Sequence, residues 1–85
     1  MSDAKARFDA AVERSKSLPT PSTSVQLEMY GLFKQVSNGD VSGSRPGMFD
    51  MRGRAKWDAW EKCRGMTNDQ AVDAYVALVD KLAKG

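Results

Sequence analysis

Apolar residues recur at three- and four-residue spacing in three separate stretches of this chain, a fourth stretch also reads as helix, and nowhere does strand-like alternation persist. That pattern restricts the fold to helix packed on helix. In the first stretch, about Ser2 to Ser17, Phe8, Ala11, Val12 and Ser15 share one face. Leu18 then leads into a break at Pro19, Thr20 and Pro21. The second stretch opens on a capping signal, Thr23 followed by Gln26, with Ser22 as an alternative cap. Its stripe is Val25, Met29, Leu32, Phe33 and Val36. Ser37 to Asp50 is a loop by composition, its turn chemistry supplied by SNGD, SGS and RPG. A third helix is expected from Asp50 or Met51 to Arg64, with Gly65 as its stop. Thr67 and Gln70 form a second capping box for a last helix from Asn68 to about Ala83, striped by Ala71, Val72, Tyr75, Val79 and Leu82. The expected class is all-α, with four helices.

Eighty-five residues suit one small domain, 1–85, with a modest core. At 41% hydrophobic and 28% charged, the composition is that of a soluble globular chain. No apolar run approaches the roughly 20 residues that span a bilayer. The opening MSDAKARFDAAVERSKS lacks the apolar centre of a signal peptide, and a cytoplasmic setting is expected. One cysteine and no histidine exclude an internal disulfide framework and leave no ligand cluster for a metal.

The net charge of +2 is too small for broad phosphate neutralisation along a nucleic acid, but its distribution is uneven. Arg45 to Gly65 holds six basic and three acidic residues, while the rest of the chain holds seven and eight. A local excess of this kind suits a compact polyanion or an anionic partner. On a helical wheel Arg52 and Lys56 share a face, Arg54 points away, and Trp60 lies near the Lys56 side. Trp57 is turned by about 100° from Lys56, toward the core. Arginine's fork and lysine's point charge together suit phosphate. The plainer alternatives are a solvated basic face and tryptophans that merely pack. On the second helix Leu27, Tyr30 and Lys34 lie together on a side that is neither core nor plainly solvent. Physical pattern alone therefore reaches a small helical domain with a localised anion site.

Three blocks carry the reading further: YGLFKQVSNGD, PGMFDMRGRAKWDAW and AYVALVDKL, in that order. Together they resemble the acyl-CoA-binding protein family, from Phe8 through Leu82. The resemblance implies an up-down-down-up four-helix bundle whose long connection joins the second and third helices. It implies a non-catalytic carrier of long-chain acyl-CoA that shields the acyl chain and passes the ester between enzymes and membranes. By the same resemblance, Tyr30 and Lys34 meet the nucleotide end of CoA, and Lys56 pairs with the ribose 3′-phosphate. Lys16 is a further basic phosphate contact, Arg52 stands for a usual lysine, Leu27 lies near the acyl tail, and Tyr75 lies near bound CoA. Phe33 replaces a common tyrosine beside the adenine, Ser15 a usually aliphatic packing residue, and Gln26 a position often apolar. No cofactor is implied beyond the ligand itself.

Met48 and Met51, where the loop enters the third helix, either line an adaptable acyl groove or simply pack. Cys63, with no histidine to activate it, is expected to be a small packed residue. A helical protein-interaction module with a basic face is the alternative function. A nucleic-acid binder or a thioester-cleaving enzyme fits the residues less well, since neither broad charge nor a nucleophile–base pair is present. A monomer is expected, because an internal bundle accounts for every apolar stripe.

Overall fold

The computed structural model describes residues 3–84, which form α1 (Asp3–Lys16), α2 (Thr23–Asn38), α3 (Met51–Glu61) and α4 (Asn68–Lys84). Among the described residues there is no strand. Ser2, expected in the first helix, lies outside them.

The helix ends follow local hydrogen-bond chemistry. At α4 the capping box closes in both directions. The Gln70 N–H donates to Thr67 Oγ1 at 3.1 Å, and the Thr67 N–H donates to Gln70 Oε1 at 2.9 Å. At α2 the alternative cap is the one used: Ser22 Oγ accepts from the Val25 N–H at 3.4 Å. Thr23 is thereby the first helical residue, and the expected Thr23–Gln26 box does not form. Gln26 Nε2 instead donates to the Pro21 carbonyl at 2.8 Å. Asp50 caps α3 by accepting from the Gly53 N–H at 3.0 Å.

Two boundaries differ from the sequence expectation. Helix α2 continues through Ser37 and Asn38 and stops at Gly39, whose φ of 80° is a conformation that side-chain-bearing residues adopt only with strain. Helix α3 ends at Glu61 rather than Arg64. The chain tightens there into three-residue hydrogen bonds, Cys63 N–H to the Trp60 carbonyl and Arg64 N–H to the Glu61 carbonyl, and Gly65 follows at φ 89°.

Helix directions can be read from paired contacts. Arg7 meets Asp73 at 2.7 Å and Arg14 meets Asp80, so α1 and α4 run parallel. Asn68 donates to the Val36 carbonyl at 3.0 Å and Gln35 to the Met66 carbonyl at 3.0 Å, so α4 begins where α2 ends and runs back along it. Helices α2 and α3 run parallel, with Tyr30 beside Lys56 and Lys34 beside Trp60. The topology is up-down-down-up, with the 39–50 loop making the return that two parallel neighbours need.

The core lies on α4. Val72, Tyr75 and Val79 are buried against Ala4, Phe8 and Ala11 of α1, Leu32 of α2 and Cys63. Phe8 and Tyr75 meet at 5.0 Å between ring centroids, a tilted aromatic pair. Ser15 is half-buried, and its hydroxyl donates to the Val12 carbonyl at 2.7 Å, answering its polar group within its own helix. Cys63 is a packed thiol whose pKa is pushed up by burial and, less, by the Glu28 carboxylate. Trp57 departs from expectation. No residue of α3 is fully buried, and Trp57 stands half-buried outside the core cluster with its indole N–H enclosed and unpartnered.

Candidate functional site

Helices α2 and α3 approach closely because residue 31 is glycine. A Cβ there would lie 2.7 Å from the Ala59 carbonyl carbon and collide with its oxygen. This near contact brings the polar side of α2 against the basic side of α3. Lys56 Nζ sits 5.3 Å from the Tyr30 ring centroid, and Lys34 Nζ sits 4.8 Å from that of Trp60. The two pairs are complementary across the seam: each helix supplies one cation and one ring. Trp60 is held by its indole N–H, which donates to the Gly39 carbonyl at 2.7 Å. The side of α2 that is neither core nor solvent is thus a helix–helix seam that still leaves its cations partly accessible.

Beside that seam opens a groove of about 620 Å³ lined by Thr23, Gln26, Leu27, Tyr30, Met51, Arg52, Ala55 and Lys56. The α3 side supplies both cations together with Met51 and Ala55, and the α2 side supplies Leu27 and Tyr30 beside the polar Thr23 and Gln26. Arg52 and Lys56 lie one turn apart on α3, and neither has a carboxylate partner among the described residues. Leu27 lines the groove from α2, and Met51, beside Arg52 on α3, is 78% exposed. Gln26 lines the groove while its amide nitrogen is engaged by Pro21, which limits the polarity it presents.

Five of the expected residues therefore meet: Leu27, Tyr30, Arg52 and Lys56 in the groove, and Lys34 at the adjoining seam. The other three lie elsewhere. Phe33 is 40% exposed and its ring is 5.6 Å from that of Phe8, in a second groove of about 660 Å³ between α1 and α2. Tyr75 is 4% exposed, beneath Phe8. Lys16 is exposed at the end of α1, lines neither groove, and holds Glu13 at 2.9 Å.

The loop above the site is tied down twice. Arg45 forms a two-pronged clamp on Asp58 of α3, Nε at 2.9 Å and Nη2 at 2.7 Å. That hydrogen bonding holds the Asp58 carboxyl below its ordinary range and raises Arg45. Asp40 accepts from the Gly65 N–H at 2.9 Å and from Gln35 Nε2 at 2.8 Å, which together hold its pKa down. Sequence reasoning missed both ties, and also Thr23 and Ala55 in the groove wall. No periodicity links Arg45 to Asp58 or Asp40 to Gly65. Ala55, one residue before Lys56, was open to detection as the small residue on a face otherwise made of long side chains.

Comparison with known proteins shows the family of the chain. The profile of the family described as acyl CoA binding protein matches residues 5–79. The chain belongs to the acyl-CoA-binding protein family. It is 49% identical over 76 residues to acyl-CoA-binding protein homolog 1 of Caenorhabditis elegans, covering 88% of each chain. It is 44% identical over 79 residues to the acyl-CoA-binding protein of Ricinus communis, covering 92% of this chain and 88% of the other. The crystal structure of Oryza sativa acyl-CoA-binding protein 2 superposes with a TM-score of 0.91 at 36% identity, over 95% of this chain and 91% of that one. The Phe33 ring packs toward Phe8 and does not line the α2–α3 groove. Among the described residues no three His, Cys, Asp or Glu side chains gather as a metal site, and no helix is long and apolar enough to cross a membrane.

Proposed function

We propose that this chain is a non-catalytic carrier and buffer of long-chain acyl-CoA, with residues 1–85 forming one acyl-CoA-binding domain. Family membership along residues 5–79 supports the ligand class, and the groove supports the mode of binding. The ligand has two unlike ends, and so has the groove. Lys34, Arg52 and Lys56 meet the CoA phosphates, Lys56 taking the 3′-phosphate with Tyr30 as its hydrogen-bonding neighbour. Lys16 and Tyr75 are the outlying contacts in this reading, and Phe33 faces the adenine with a ring but no hydroxyl. Leu27, Met51 and the stem of Gln26 cover the start of the acyl chain.

Energetics assign the two ends different tasks. Each methylene withdrawn from water contributes about 0.8 kcal/mol, so covering about eight gives roughly 6 kcal/mol before association costs. Hydrogen bonds from charged donors to phosphate contribute about 1.5–3 kcal/mol each and reject uncharged or singly charged lipids. The tail supplies affinity and the head supplies selection. The protein acts as a cytoplasmic monomer that receives the ester from, and passes it to, acyl-CoA-using enzymes and membranes.

The observation that carries this reading is the meeting of Tyr30, Arg52 and Lys56 around one half-apolar groove. Calorimetric titration of delipidated protein with palmitoyl-CoA, CoA and palmitate tests it. One-to-one binding of the ester, far tighter than of either fragment, is expected. Equal affinity for CoA and palmitoyl-CoA would remove the acyl groove from the account, and silence toward all three would leave a protein-interaction module with a basic face.

A further inference from the structure

The most exposed large apolar side chains of the described residues are consecutive or nearly so: Met48 at 69%, Phe49 at 97% and Met51 at 78%. They form the tip where the long loop turns into α3. Folding leaves Phe49 almost wholly in water, without the stabilisation that burial of its ring would give. The tip is not slack chain. Its turn is closed by the Asp50 N–H on the Gly47 carbonyl at 3.0 Å, capped into α3 by Asp50, and clamped below by Arg45 on Asp58.

Cations flank this tip on both sides. Arg52 and Lys56 line the ligand groove, while Arg54 lines a shallow neighbouring groove with Met48, Met51 and Asp58. None of the three has an ion-pair partner among the described residues. From Arg45 to Asp58 four basic residues meet two acidic ones, and the nine of each sign elsewhere cancel, so this segment carries the chain's whole net charge of +2. Met51 and Ala55 belong to both grooves, which makes the apolar tip continuous with the mouth of the ligand groove.

We infer that the Met48–Phe49–Met51 tip is a membrane-docking wedge that enters the interface of an anionic bilayer, with Arg54 and, while the groove is empty, Arg52 and Lys56 on lipid phosphates. A fixed aromatic and two thioethers ringed by unpaired cations match that surface: apolar carbon enters the acyl boundary while cations stay at the headgroups. Docked in this way, the groove opens toward the lipid, and an acyl chain passes between bilayer and protein with little exposure to water. The inference rests on the carrier reading for its purpose, but the wedge itself stands on exposure and charge. One aromatic and three cations give weak, salt-sensitive, reversible attachment, as a carrier needs.

Flotation of the unliganded protein with vesicles of two parts phosphatidylcholine to one part phosphatidylserine is the test. Wild type is expected to float with these vesicles and much less with pure phosphatidylcholine. Phe49→Ser removes a side chain that touches little, and is expected to lower partitioning about tenfold or more. Arg54→Gln is expected to lower it about fivefold and to flatten its salt dependence. A palmitoyl-CoA titration without vesicles runs in parallel and should change less than about twofold in both variants. If wild type does not float, or Phe49→Ser floats equally well, the wedge is wrong whatever the titration shows. Self-association of wild type in sedimentation that Phe49→Ser abolishes would assign the surface to a second copy and overturn the inference. Vesicle binding with a silent titration would keep the wedge and refute the carrier reading.

Discussion

The two helix pairs of this bundle are built on opposite principles. On the α1–α4 side, Val72, Tyr75 and Val79 are buried against Ala4, Phe8 and Ala11, and ion pairs are confined to the rim. On the α2–α3 side, α3 buries no residue fully, and contact is made by a glycine, two cation–ring pairs and half-buried tryptophans. A chain this small has enough apolar surface for one well-closed seam, and places it where only the outlying contacts Lys16 and Tyr75 are proposed to meet ligand. The other seam stays partly exposed and charged, as the proposed polyanion site requires. Stability and binding are thus assigned to different helix pairs, and substitutions should separate them.

The largest expected effect is on the closed side. Val79→Ala leaves a cavity against α1 and should lower stability by about 2–3 kcal/mol, or a Tm fall of roughly 10–20 °C, with ligand affinity almost unchanged. Denaturant melts and a titration of the same sample check both halves. Next comes Lys56→Ala on the open side, which should weaken palmitoyl-CoA binding by about 30-fold, near 2 kcal/mol, while stability falls by less than about 1 kcal/mol. If Lys56→Ala unfolds the protein, or Val79→Ala abolishes binding in protein that is still folded, the division fails. Gly31→Ala sharpens the comparison, because it should affect both: the added Cβ pushes α3 off α2, costing about 1–2 kcal/mol of stability and several-fold in affinity.

Acid should act last and locally. Asp40 and Asp58 both have folded pKa values below the ordinary carboxylate value of 3.8, so their ties stabilise the fold fully above it. That contribution is lost as pH falls through the folded values. Amide exchange in the 39–50 loop should therefore rise on acidification while the α4 amides around Val72 and Val79 stay protected. A loop and a core that loosen together would contradict it.

The closed side was legible in sequence because its signals are periodic. The α4 stripe and the Thr67–Gln70 box depend only on spacing along one helix; the box formed, and of the stripe Ala71, Val72, Tyr75 and Val79 are buried while Leu82 is half-buried. The α2–α3 seam was legible in part. Tyr30, Lys34, Arg52 and Lys56 stood out by type, but spacing along α2 carries no information on which α3 residue each ring meets. The cap of α2 went to Ser22 because both candidates sat next to each other and only one can be non-helical. Trp57 shows the limit of a helical wheel: it gives a direction, while the depth reached depends on how closely the neighbouring helices pack. The Arg45–Asp58 clamp needed the loop's path in space, which no local pattern encodes.

The most direct test of this division is a map of backbone amide chemical shifts during titration with palmitoyl-CoA. The largest changes are expected at Leu27, Tyr30, Lys34, Arg52 and Lys56, with small changes around Val72 and Val79. Changes concentrated along α4, or none on the facing sides of α2 and α3, would contradict the assignment of binding to the open helix pair.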